Sequence, residues 1–278
     1  MLGQQSGWPV VMKAKRTVIY LKKYRKTNMC LKSIVQGIVI MGCSLGVVAQ
    51  ASNEVDFDVV GSFAKTSKPI EVDTKTFTFK TGFAGVKASL GDEEYGKFHL
   101  QYGVAYSPSE DANFHDANLS GDIFVQSIGY GYTYPIDIND SPFSLDLSIS
   151  NVTNKHTGDD FTGTHSSNAV NATVNATSDF TRSSLALNYE MDEQTIFTVG
   201  VGSLNWKIDA TASGKRIDKD ITFSTDIDAS GTDGFYFVES TFPLLGSVAK
   251  IGYRRSKLNT DTTNTLNEVY AEASVDLF

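Results

Sequence analysis

The chain predicts an all-β fold, an antiparallel up-and-down transmembrane β-barrel of about ten strands, with eight and twelve as the alternatives. Three observations carry this. Apolar residues recur at every second position in strand-length segments, tight connections alternate with long polar ones, and no segment after residue 51 is a candidate membrane helix. A chain that crosses a bilayer with strands must close them into a ring, because hydrocarbon offers no partner for an unpaired backbone N–H or C=O.

The strands follow in order. Val55, Phe57, Val59 and Phe63 alternate with Asp56, Asp58 and Ser62. A second run, Phe77, Phe79 and Phe83, changes parity at Ala84-Gly85 to Val86, Ala88 and Leu90, as a glycine bulge would make it do. Phe98, Leu100, Tyr102, Val104 and Tyr106 form the third, and Ile128, Tyr130, Tyr132 and Tyr134 the fourth. Phe143 to Ile149 and Leu185 to Met191 give the fifth and sixth, and Phe197, Val199 and Val201 open the seventh. The eighth, Tyr236 to Phe242, has no clear face because Phe235 and Phe237 share the polar parity. Ala249, Ile251 and Tyr253 mark the ninth, and Val269 to Leu277 alternates as the tenth.

The connections at Gly91 to Gly96, Pro135 to Pro142, Asp192 to Gln194 and Pro243 to Gly246 are tight. Those at Thr66 to Thr74, Ser107 to Gly121, Asn154 to Asp179, Ala210 to Asp233 and Lys257 to Leu266 are long and polar, and read as loops. Such alternation is expected when short turns face a periplasm and long loops face outside, and it places both termini on the periplasmic side. A soluble barrel would reverse the polarity, with apolar residues inside.

Residues 1–51 read as a signal peptide. Lys13, Lys15, Arg16, Lys22, Lys23, Arg25, Lys26 and Lys32 form its basic region, Ile34 to Val48 its apolar region, and Ala49-Gln50-Ala51 its cleavage site. A lipobox-like Ile40 to Cys43 fits less well, because Met41 is a poor match. Residues 52–278 then form the barrel. The whole chain carries 24 Lys+Arg against 32 Asp+Glu, a net charge of −8; less the leader's eight basic residues, 16 remain and the exported part carries −16. So acidic a surface repels nucleic acid and anionic lipid and attracts cations. Both cysteines, Cys30 and Cys43, lie in the leader, which suits passage through an oxidising periplasm.

With the apolar parity toward lipid, the interior receives charges of both signs. Arg182, Lys250 and Arg254 are expected to pair with Asp146, Glu239 and Glu272, since charges in a narrow lumen lose much of their water. His99 reads as a packed lumen residue, and Tyr102, Tyr106, Tyr130, Tyr132, Tyr134, Trp206 and Tyr253 as members of interfacial aromatic belts. About ten strands leave a plugged or very narrow interior. Asp159, Asp160 and His165 are the residues that could hold a divalent metal, although their spacing matches no metal motif and polar loops collect such residues by composition. No catalytic constellation or cofactor motif emerges, so no enzyme activity and no cofactor are expected.

With its Ala49-Gln50-Ala51 leader and terminal Phe278, the chain resembles the general family of small Gram-negative outer-membrane β-barrel proteins over Ser52 to Phe278. The resemblance implies residence in the cell outer membrane among lipid and lipopolysaccharide, and assembly by the barrel-assembly machinery, which reads a C-terminal aromatic. Phe278 departs from the pattern by standing one step out of the apolar register of Ala273, Val275 and Leu277. The expected role is structural or surface-interacting, with an ion-paired lumen and no identified external ligand. The alternatives are a small cation-preferring pore, a solitary autotransporter-like barrel without passenger, and a hydrolase at the barrel rim.

Overall fold

The computed structural model describes residues 55–274, apart from 69, 73–74, 78–79, 93–94, 115–116, 139–140, 193, 218–219, 245–246 and 260–262. The leader, the lipobox-like segment and the terminal Phe278 lie outside the described residues. The strands are β1 (Val55–Thr66), β2 (Ile70–Val72), β3 (Lys75–Phe77), β4 (Lys80–Asp92), β5 (Gly96–Phe114), β6 (Ala117–Asp137), β7 (Phe143–His165), β8 (Asn168–Asp192), β9 (Thr195–Arg216), β10 (Thr222–Leu244), β11 (Ser247–Asn259) and β12 (Thr263–Ser274). Ten of them close an antiparallel ring in the order β1-β12-β11-β10-β9-β8-β7-β6-β5-β4, while β2 and β3 pair as a separate small hairpin. Closure leaves no strand edge, as the period-two pattern requires in a membrane.

The outward face carries the belt that a bilayer demands. Val59 and Phe63 on β1, Phe98 and Tyr106 on β5, Ile128 to Tyr134 on β6, Leu147 and Ile149 on β7, Leu185 to Tyr189 on β8, Val199 and Val201 on β9, and Ile251 and Tyr253 on β11 are all exposed. On β6 to β10 three to five such alternate residues are exposed on each strand, close to the 9–11-residue span of a tilted transmembrane strand. At the short-turn end Phe143 stacks obliquely on Tyr189, ring centroids 5.1 Å apart, and Phe98 pairs with Tyr132. The tight turn after β8 is held by Asp192, whose Oδ1 accepts the Gln194 and Thr195 amides at 2.9 and 2.8 Å. These bonds hold its carboxyl below the usual range.

The ring is lopsided. β1, β4, β11 and β12 have 12 or 13 residues, whereas β7, β8, β9 and β10 have 23, 25, 22 and 23. The extra length is the first correction to the sequence reading. Asn154 to Asp179, expected as one loop, is a continuous β-hairpin, β7 pairing with β8 up to His165↔Asn168 around a two-residue turn. In that turn Ser166 and Ser167 take positive φ values of 47° and 66°. Ala210 to Asp233 is likewise mostly strand, with β9 and β10 in register as far as Lys215↔Thr222. Ser107 to Gly121 is also largely taken up by β5 and β6, and β2 and β3 fall within the segment before β4. The asymmetry of the connections is therefore an asymmetry of strand length.

Two further corrections concern faces. β4 pairs with β1 and β5 without a register shift, so there is no bulge at Ala84-Gly85. Its parity is uniform; Phe83 points inward against Gly103, and Lys80 lies on the outer face opposite Lys65. On β10 the unclear face resolves inward for Phe235 and Phe237, 5% and 7% exposed, and outward for Tyr236 and Val238. The two rings fit because Gly202 and Gly200 stand directly opposite them on β9. A Cβ on Gly200 would come within 2.2 Å of the Phe237 ring, so only glycine leaves that space. Tyr270 sits on Gly252, and His99 on Gly131, in the same way.

Candidate functional site

The functional geometry lies inside the ring, where polarity changes along the barrel axis. Near the short-turn end the interior is polar: Asp58 on β1, Lys87 on β4, His99 on β5, Glu239 on β10, Lys250 on β11 and Glu272 on β12 all share the inward parity. Toward the tall end it becomes apolar. Phe161, Val170, Phe180, Leu204, Trp206, Ile208, Ala212 and Ile227 are each 5% exposed or less and form one core. Over the same stretch the outward face becomes polar, with Asn171, Asn175, Asn205, Lys207, Asp226 and Asp228 exposed. The upper part thus has the polarity of a water-soluble barrel and the lower part that of a membrane barrel, because one end meets water and the other lipid.

The charged layer holds most of the sequence-predicted lumen residues, with partners that are only partly those expected. Lys250 Nζ lies 3.8 Å from Glu239 Oε2 and 3.9 Å from Glu272 Oε2. Arg182 and Arg254 converge instead on Glu268, Nη2 and Nη1 lying 3.0 and 2.9 Å from the same Oε2. Ser62 Oγ donates to the other oxygen at 2.9 Å, so both acceptors of that buried carboxylate are used. Asp146 faces the lumen but has no ion-pair partner among the described residues. Lys87 bridges Asp58, at 3.2 Å, and Glu272, while the Tyr270 hydroxyl donates to Glu239 at 2.6 Å. Arg254 also lies over the Tyr270 ring, 4.8 Å from its centroid.

Glu268, Lys87 and Tyr270 are therefore central members of the network that sequence reasoning did not assign to it. Lys87 was within reach, since it stands between the outward Val86 and Ala88. Glu268 was hidden by the expected loop boundary at Leu266; β12 in fact begins at Thr263, and extending the alternation backward places Glu268 on the inner face.

A cavity of about 210 Å³ lies within the layer, bordered by His99, Arg182, Arg254 and Glu268. It is roomy enough for several waters at about 30 Å³ each. The Nε atoms of Arg182 and Arg254 are buried and have no hydrogen-bond partner among the described residues. Above the layer the indole of Trp206 donates to Asp233 Oδ2 at 2.8 Å, and the Asn259 amide donates to that same oxygen at 3.0 Å. Trp206, 3% exposed, thus belongs to the interior core, which corrects its expected place in an aromatic belt. Tyr106, Tyr130, Tyr132, Tyr134 and Tyr253 do face outward and are exposed.

The residues considered for a metal are not brought together. A one-residue bulge on β7 between Gly158 and Phe161 holds Asp159 and Asp160 at the exposed surface. The bulge turns Phe161 inward, and His165 beyond it stacks on Phe223, centroids 4.4 Å apart. No group of three or more His, Cys, Asp or Glu side chains that could hold a metal exists among the described residues.

A closed ring of ten strands, an outward apolar belt and an ion-paired lumen define a membrane-spanning β-barrel. No family model matches the chain, nor does any curated protein sequence. Solved structures do align with it. The translocator domain of the autotransporter NalP from Neisseria meningitidis shares 13% identity at a TM-score of 0.45, over 87% of this chain and 96% of that one. The outer membrane protease OmpT from Escherichia coli shares 6% at 0.43, over 79% and 93%. Ail, the attachment invasion locus protein of Yersinia pestis, shares 9% at 0.34, over 80% and 97%. These are likenesses of architecture, and no role follows from them.

Proposed function

We propose that this protein is a closed, non-conducting outer-membrane barrel whose work is done by the wall it raises above the membrane. One observation carries the reading: the tall half of the lumen is filled by a continuous apolar core, with Phe161 and Leu204 at 0% exposure and Ile208 at 1%. Packing of this kind argues against a wide pore and against the cation leak that the acidic composition allows, and Asp233, the carboxylate beside Trp206, is occupied by hydrogen bonds from Trp206 and Asn259. A membrane requires 9–11 residues per strand. β8 has 25, so more than half of it stands clear of the bilayer and presents Asn171, Thr173, Asn175 and Thr177 outward. In this reading the tall end faces the cell exterior, the short turns face the periplasm, and the wall offers a rigid polar sheet to partners in place of flexible loops.

The test is single-channel recording of the refolded protein in planar bilayers. Wild type is expected to show no steady conductance; reproducible openings of fixed size would overturn the closed-barrel reading.

A further inference from the structure

We infer that the lumen cavity bordered by Arg182, Arg254 and Thr81 is a binding site for one small, singly charged anion of the size of chloride or formate. The inference stands on the lumen alone; it goes beyond the closed-barrel reading and does not depend on which end of the barrel faces outward.

Charge within the lumen is unevenly shared. Arg182 on β8 and Arg254 on β11 both bond Oε2 of Glu268, so two guanidinium groups stand against one carboxylate. The carboxylates in excess lie lower, where Asp58, Glu239 and Glu272 meet only Lys87 and Lys250 among the described residues. Tyr270 stands between the two groups, its ring beneath the Arg254 guanidinium, 4.8 Å away, and its hydroxyl bonded to Glu239. The arginine pair therefore carries one positive charge more than the carboxylate in contact with it.

Donors point the same way. Nε of Arg182, Nε of Arg254 and Oγ1 of Thr81 are buried and have no hydrogen-bond partner among the described residues, and all three residues border one cavity of about 210 Å³. Arg182 and Thr81 are only 7% and 8% exposed. Thr81 stands opposite Ala64, Ala64 opposite Glu268 and Glu268 opposite Arg254, so the hydroxyl and the arginines border the cavity on one level across the small Ala64. Water would satisfy the donors and leave the surplus charge buried. An anion answers both, and a hydrogen bond to an ionised acceptor is about twice as strong as a neutral one.

The surroundings select the ligand. A volume of about 210 Å³ holds several waters at about 30 Å³ each and is too small for a sugar chain or a nucleotide. A second negative charge would meet Glu268, Glu239 and Glu272 with no further cation to offset it, which disfavours sulfate. The rings of Phe180, Phe235 and Phe237 lie against the guanidinium groups and leave their N–H edges to the anion. Entry is from the short-turn end, where Lys250 and Glu272 border the cavity and are partly exposed. Phe180, with Trp206 opposite, closes it above.

The experiment uses the full-length exported protein refolded in a neutral detergent, with folding checked by heat-dependent gel mobility. Sodium chloride replaces sodium gluconate at constant ionic strength while the chloride NMR linewidth is followed, and sodium formate or sodium sulfate is then added as competitor. Wild type should broaden the chloride line; formate should reverse the broadening and sulfate should not. Arg182→Lys keeps the charge, loses the Nε donor and should bind chloride about tenfold or more weakly, as expected for one hydrogen bond to a charged group. Lys215→Ala, exposed on the tall wall, should bind like wild type. If Arg182→Lys does not fold, Thr81→Val decides in its place: binding weaker by about threefold or more supports the site, and equal binding overturns it. No broadening by wild type, as a cavity holding water alone would give, overturns the site. So does broadening that the folded Arg182→Lys retains, that Lys215→Ala abolishes, or that sulfate reverses as well as formate. Steady conductance in a barrel that binds chloride would overturn only the closed-barrel reading.

Discussion

Arg182 on β8 reaches across the lumen to Glu268 on β12, its Nη2 3.0 Å from Oε2, although β9, β10 and β11 separate the two strands around the ring. With Arg254 on the same oxygen, one carboxylate ties three strands together from inside. The side chains of Arg182 and Glu268 are only 8% and 12% exposed, so neither can be left alone without cost. Glu268→Ala strands two buried guanidinium groups and should destabilise the barrel by about 3–5 kcal/mol, a typical cost for breaking a buried pair. Urea unfolding of the refolded barrel, followed by tryptophan fluorescence, measures this; an unchanged midpoint would show that the pair does not hold the wall. Arg254→Ala should lose less, because Arg182 retains its partner.

The apolar core predicts how the barrel can be opened. Trp206→Ala removes a 3%-exposed indole and leaves Asp233 without one of its donors. The cost should be about 3–5 kcal/mol. Combined with Phe161→Ala and Phe180→Ala, it should turn a silent protein into one that conducts in planar bilayers. A folded triple variant that stays silent would show that the seal lies elsewhere.

The contact of Phe237 with Gly200 predicts a compensating pair. Gly200→Ala should cost about 1–3 kcal/mol through overpacking against the ring. In a Phe237→Ala background that penalty should largely vanish. A double-mutant cycle from urea midpoints measures the coupling, and strict additivity would mean that the ring and the glycine do not share the space.

The turn at Ser166-Ser167 holds two serines at positive φ, which L-residues other than Asn and Gly adopt at a cost. Ser166→Asn with Ser167→Gly should raise stability by up to about 1 kcal/mol, read from the thermal midpoint. The same turn tests topology. Ser166→Cys should react with a membrane-impermeant maleimide on intact cells, whereas Gln194→Cys should react only after the outer membrane is opened. The reverse pattern would invert the proposed orientation.

On the tall wall, Lys207 stands among Asp179, Asp209 and Asp228, with Nζ 3.0 Å from Asp209 Oδ2. The hydrogen bond and charge of Asp209, with Asp228 and Asp179 adding to them, raise its ammonium above its ordinary pKa. A raised folded-state pKa stabilises the fold at all pH values below the unfolded value and is lost only as pH climbs through the folded one. At neutral pH the cation is therefore fully present and screens Asp209 from Asp228 directly opposite. Lys207→Met should lower the melting temperature slightly at pH 7 and much less in strong alkali, where the ammonium has given up its proton. An equal loss at both pH values would point to packing of the side-chain stem instead of charge.

Much of this architecture is written in local pattern. A period of two places Leu185, Leu187 and Tyr189 on one face and Arg182 and Asn188 on the other, whatever the strand pairs with, so the ring, its belt and the polar parity of the lower lumen are legible from the chain alone. The tall wall was harder to read, because Thr, Asn, Ser and Asp are the residues of loops as well as of water-facing strands. Val170, Ala172, Val174 and Ala176 alternate with Asn171, Thr173, Asn175 and Thr177, but small inward residues make a faint signal until packing around them is known. Which charges meet is a matter of ring geometry. Arg182 and Glu268 are 86 residues apart, and only closure of the barrel brings them together. The sequence alone therefore determined the faces of the strands other than β4 and β10, since each side chain's direction depends on its neighbours along the strand. The seal, the partners of the arginines and the cavity beside them were decided by tertiary structure, since each depends on register between strands that the chain does not specify locally.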